Sequence, residues 1–181
     1  MAKEQEFQLE GLEDRILLSA TPMETDTVLQ FSSQEEVQQN KHILIVDTSV
    51  EAYQELINSP SIENTEIYFL DPGSDGLEQI SSILDQYDEL ASVHIVSHGT
   101  EASLFLGNST VSNDNIDTYA DEFSSWKQAL TPNADILFYG CDVGHNENGV
   151  DFLQRIAELT GADVAASDDT TGVGGDADLE V

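Results

Sequence analysis

Five short apolar runs, separated by stretches with helical spacing, constrain this chain more than any other feature. They are His42-Ile-Leu-Ile-Val46, Glu66-Ile-Tyr-Phe-Leu70, Val93-His-Ile-Val96, Asp135-Ile-Leu-Phe-Tyr139 and Asp163-Val-Ala-Ala166. Continuous rather than alternating hydrophobicity marks strands buried on both faces, as in a parallel sheet. After the first run, Thr48 and Glu51 form a capping box for a helix through about Asn58. After the second comes the turn Asp71–Gly76, and Leu77, Ile80, Ile83 and Leu84 then share one helix face to about Tyr87. The third is followed by Ser103–Leu106 and Thr110–Ser112, which predict a β-hairpin around Gly107-Asn108. A helix is expected from about Ile116 to Leu130, ended by Pro132. Another buries Val150, Leu153, Ile156, Ala157 and Leu159 and stops at Gly161. This order predicts an α/β fold: a mostly parallel sheet flanked by helices on both faces, with a small hairpin after the third strand.

The first 40 residues do not share the pattern. They are rich in Gln, Ser, Glu and Thr around one apolar block, Leu12–Ala20, and read as a tail and linker. Residues 41–181 form the domain, and 181 residues in all fit one domain plus a tail. The chain carries 36 Asp and Glu against 5 Lys and Arg, a formal net charge of −31. Nucleic acid and anionic lipid surfaces would repel such a molecule, so neither is expected as a partner. No segment approaches the roughly 20 apolar residues of a membrane helix, and the N-terminus lacks the pattern of an ordinary secretory signal. A single cysteine, Cys141, excludes an internal disulfide framework.

In open parallel sheets reactive groups collect where strands end. Three of the runs end in polar residues: Asp47, His98 after Ser97, and Cys141 after Gly140. A thiol needs a base to become thiolate near neutral pH, and imidazole is the usual one. Backbone N–H groups must also face the developing oxyanion. Gly99 and Gly140 permit close backbone approach beside His98 and Cys141.

The segments Val93-His-Ile-Val-Ser-His-Gly99 and Ile136-Leu-Phe-Tyr-Gly-Cys-Asp142 resemble the caspase, gingipain, legumain and separase group of cysteine peptidases. That group pairs a strand ending in His-Gly with a later strand ending in Cys. The Gln-Ala before and Arg-Gly after the caspase cysteine are missing here, and Asp47 stands where caspases carry a strand-end arginine. More closely, residues from about Lys41 resemble the DUF4347 domain of giant bacterial adhesins and cadherin-repeat proteins. Val46-Asp47, Ser97-His98-Gly99, Tyr139-Gly140-Cys141 and Thr160–Asp169 carry that resemblance. In the tail, Leu12-Glu-Asp-Arg-Ile-Leu-Leu-Ser-Ala20 is similar to the Leu-Glu-Pro-Arg-x-Leu-Leu block of very large exported bacterial proteins, with Asp14 in place of proline.

These resemblances imply a caspase-like cysteine endopeptidase, exported to the bacterial surface or beyond. His98 would serve as base and acid, Cys141 as nucleophile, and the Gly99 and Cys141 amides as oxyanion donors. Asp47 has two readings: it caps the following helix, or it lies in a pocket for a basic substrate side chain, as in the Arg- or Lys-specific relatives. Asp168, with Asp169, belongs either to a solvated loop or to a substrate or calcium site. No cofactor or metal is expected beyond that calcium. A zinc site from His98, Cys141 and His145 matches no closed zinc spacing, and His94 is expected to be structural. The expected substrate is a peptide of the same large protein or its partners, with Arg15–Ile16 in the chain's own tail as a candidate cleavage site. The alternative function is a non-catalytic structural or interaction module of an adhesin.

Overall fold

A computed structural model describes residues 41–51, 53, 57 and 65–168. The five apolar runs become strands β1 (Lys41–Asp47), β2 (Thr65–Leu70), β3 (Leu90–Val96), β7 (Leu130–Tyr139) and β8 (Asp163–Ala166). They form one sheet in the order β2-β1-β3-β7-β8, and every neighbouring pair is parallel. A second, antiparallel sheet joins β4 (His98–Thr100), β5 (Ser103–Leu106) and β6 (Ser109–Ser112). The predicted hairpin is therefore three-stranded. Its first strand went unpredicted because His-Gly-Thr has no apolar pattern to reveal it.

The helices are α1 (Gly76–Leu84), α2 (Ala120–Ser125) and α3 (Asn146–Thr160). Asp75 caps α1, its side chain accepting from the Leu77 and Glu78 amides. Gly161 ends α3 in the left-handed region at φ 70°, and its amide donates to Ala157 O at 2.7 Å. Ile43, Ile45, Val93, Ile95, Ile136 and Phe138 project from one sheet face into the main core. They pack there with Leu77, Ile80 and Leu84 of α1, Phe123 of α2, and Phe152, Leu153 and Ile156 of α3. Leu44, Val46 and Val96 on the opposite face meet Tyr53 and Ile57, both helical. Helical residues thus flank both faces, although residues 48, 49 and 51 are turn where a capping box was expected to open the helix, and most of that helix lies outside the described residues.

Three local expectations change. The predicted helix from Ile116 to Leu130 is a short α2 between two single 3₁₀ turns, Ile116–Tyr119 and Trp126–Gln128. Pro132 follows no helix end but lies inside β7, where the register jumps from Leu90↔Leu130 to Ser92↔Asp135. An irregularity of that kind accepts a residue with no N–H to give the ladder. On α3 the buried face is Gly149, Phe152, Leu153, Ile156 and Thr160, whereas Val150 is 43% exposed. None of the helices among the described residues is long and apolar enough to cross a membrane.

Candidate functional site

β3 and β7 leave the sheet side by side. Val96 pairs with Tyr139, and the Ser97 amide continues the ladder by donating to Tyr139 O at 3.2 Å. His98 then opens β4, exposed, and Cys141 follows Gly140, half-buried. Both exits are crowded, and glycine relieves the crowding, more at Gly99 than at Gly140. A Cβ on Gly99 would lie 2.4 Å from Val143 Cγ2 and 3.1 Å from Cys141 O. One on Gly140 would lie 3.2 Å from Ser97 O and 3.5 Å from Gly99 N. Without a Cβ at either position, the His98-Gly99 and Gly140-Cys141 backbones can lie close together.

The small sheet that carries His98 is latched at its far end. Gly107, at φ 58°, sits so deep in the β2–α1 turn that a Cβ would meet Ser74 O at 2.2 Å. Asn108 donates its amide to Ser74 O at 2.9 Å and its side-chain nitrogen to Gly73 O at 2.9 Å. Ser109 donates its hydroxyl to Asp75 Oδ2 at 2.5 Å. The Gly107-Asn108 pair read as a turn is therefore also a docking plug.

Asp47 is buried, at 1% exposure, and both of its oxygens are engaged. Oδ1 accepts from the Ser49 amide at 2.8 Å and Oδ2 from the Gly107 amide at 2.7 Å. In this arrangement the carboxylate fastens a turn, since residues 48, 49 and 51 are turn and not helix, and its burial sets it back from any side chain arriving through solvent. The turn it stabilises leads to the site: Ser49 O lies 3.3 Å from His98 Nε2. Ser49 went unnoticed because a backbone carbonyl leaves no signature in sequence.

On the Cys141 side, Ala102 donates its amide to Val143 O at 3.2 Å and Gly144 donates to Ser167 O at 2.9 Å. His145 Nδ1 donates to Asp168 O at 3.0 Å, so Asp168 comes to the loop that begins at Cys141. The fold thus brings the His98-Gly99 and Gly140-Cys141 exits close together, with Asp47 bonded to Ser49, whose carbonyl lies beside His98, and Asp168 bonded to His145. Arg15, Ile16 and Asp169 lie outside the described residues. Among those described, no group of three His, Cys, Asp or Glu side chains is arranged to hold a metal ion.

A second polar constellation crosses the sheet. Ser92 Oγ lies 2.7 Å from His42 Nδ1 and 2.8 Å from His94 Nε2, and His94 Nδ1 lies 3.0 Å from Tyr139 OH. The His94 and Tyr139 rings stack with an interplanar angle of 12°. Burial lowers the His94 pKa below its ordinary value, and a charged His42 lowers it further, against a smaller upward pull from Asp135. Burial raises the Tyr139 phenol.

Residues 43–181 match the family model described as a domain of unknown function, DUF4347. The chain belongs to that family. No curated protein matches it.

Proposed function

We propose that this domain is a cysteine endopeptidase acting through Cys141 and His98 in the maturation of a large exported bacterial protein. The observation that carries the reading is the close approach of two glycines at adjacent strand exits, one beside a histidine and the other beside the only cysteine. His98 would take the Cys141 proton, and the thiolate would add to the scissile carbonyl while the Gly99 and Cys141 amides receive the oxyanion. The imidazolium would then give its proton to the departing amine as the C–N bond breaks. Water, activated by the neutral imidazole, would release the acyl group and restore the thiol. A preference for cleavage after a basic residue rests on the field of a chain with net charge −31, which draws cations to its clefts. Asp47, at 1% exposure, is too deeply buried to be its source.

The chain's own tail is the first substrate to try. Arg15 is followed by Ile16-Leu17-Leu18, and the linker to the domain reaches about 3.3 Å per residue when extended. Tethering raises the effective substrate concentration to about the millimolar range. Arg155, the other arginine, lies in α3 with bonds to Asp117 at 2.8 Å and Glu158 at 3.0 Å.

Two measurements test the proposal. A peptidyl electrophile with Arg at the cleaved position should label Cys141 stoichiometrically and outpace its Asp counterpart. His98→Ala should slow labelling by about 100-fold, the low end of what general base catalysis supplies. Intact-mass analysis should find a new N-terminus at Ile16 that is missing from Cys141→Ala. Labelling unaffected by His98→Ala would sink the dyad and favour a non-catalytic adhesin module.

A further inference from the structure

The His98 ring is aligned by a backbone carbonyl, and that carbonyl is set in place by a carboxylate the proposed chemistry does not touch. The Asp47–Val50 turn has three fastenings. Val50 donates its amide to Asp47 O at 3.1 Å, Ser49 donates its amide to Asp47 Oδ1 at 2.8 Å, and Thr48 Oγ1 donates to Leu70 O at 3.1 Å. The other oxygen, Asp47 Oδ2, holds Gly107 at the tip of the small sheet whose first strand starts at His98. One buried group therefore ties down both the carbonyl that faces the imidazole and the sheet that carries it.

We propose that Asp47 is a positioning residue for His98, selecting the ring tautomer through Ser49. The inference rests on the dyad reading for its catalytic meaning. A carbonyl oxygen only accepts, so its partner Nε2 must carry the hydrogen. The neutral ring then has its lone pair on Nδ1, the nitrogen left to take a proton from a thiol. Without Ser49 O at that distance, nothing in the contact would distinguish the two tautomers. A carboxylate is suited to this task because it accepts twice. An amide in its place would turn an NH₂ toward one of the two backbone donors, and either Ser49 or Gly107 would lose its partner.

The test is long-range ¹H–¹⁵N NMR of the four histidines in the full chain, with His98 assigned by His98→Gln. Wild-type His98, above its titration, should be in the Nε2–H tautomer. Asp47→Asn, with its fold checked by circular dichroism, should give a mixture. The same variant should slow Cys141 alkylation by about tenfold at pH 7, part of the general-base contribution. An Nδ1–H tautomer in the wild type overturns the proposal whether or not Asp47→Asn folds. So does an unchanged tautomer in a folded Asp47→Asn protein. If the tautomer follows Asp47 while Cys141 is inert even in the wild type, positioning stands and the peptidase reading falls.

Discussion

The two faces of the five-stranded sheet were built by different rules. One is dry: Ile43, Ile45, Val93, Ile95, Ile136 and Phe138 are at most 1% exposed and are covered by α1, α2 and α3. The other mixes an apolar patch at Leu44, Val46 and Val96 with the polar chain His42–Ser92–His94–Tyr139. Packing holds the first face by volume, and close-packed cores respond to lost volume with large energies. The polar chain holds the second by pairing, where each hydrogen bond contributes little net stability and each orphaned partner costs more. The difference teaches that an apolar run in sequence describes a strand's average surroundings and not each of its sides.

The comparison breaks most visibly on the dry side. Trp126→Ala removes a fully buried ring that packs on Phe123 and bonds to Ser81 Oγ at 3.0 Å. Chemical denaturation should show a loss of about 3–5 kcal/mol. On the polar side Ser92→Ala removes the hub between two imidazoles, and the same measurement should give about 1–3 kcal/mol. A loss as large as that of Trp126→Ala would show that pairing holds its face as firmly as packing does.

Acid should separate the faces as well. Because the folded-state pKa of His94 is depressed, the unfolded chain binds its proton first. Its contribution to stability is therefore complete above the unfolded value, about 6.5, and is lost as pH falls from there through the folded value. Urea titrations across that window should show stability falling with acid, with a shallower slope in His94→Gln. The smallest effect belongs to Val150, which is exposed on α3. Val150→Glu should change stability by no more than about 0.5 kcal/mol, whereas Phe152→Ala should cost several.

The dry face was the legible one. Runs such as Ile136-Leu-Phe-Tyr139 identified every strand of the main sheet, because hydrophobic continuity survives whatever lies on either side. β7 begins earlier than its apolar run, since nothing local reveals that the chain around Pro132 has bulged out of the ladder. Phe152 was overlooked and Val150 overvalued because Val150 lies three positions before Leu153 at the edge of its stripe, whereas the buried stripe is centred on Gly149, Phe152, Leu153, Ile156 and Thr160. At the candidate site, His98, Gly99 and Cys141 could be read from strand exits. The neighbourhood of Asp47 could be read too, but not its work. Whether a strand-end carboxylate is pocket or cap depends on which amides reach it, and Gly107 arrives from 60 positions away. Ser49 contributes only its carbonyl, which every residue possesses.

Val143 lies between several parts of this molecule, and the consequence is mechanical. Its side chain occupies the space a methyl on Gly99 would need, and its carbonyl holds Ala102 at 3.2 Å. On the other side, a Cβ on Gly149 of α3 would meet Val143 O at 2.6 Å, and the next amide reaches Ser167 O at 2.9 Å. Hairpin, cysteine loop and the start of α3 thus close around one residue, through its side chain and its carbonyl together, much as stones bear on a keystone. Slow opening motions should carry them together. In hydrogen-exchange measurements the amides of Ala102 and Gly144 should be released by one shared opening event, and trimming Val143 to alanine should hasten both.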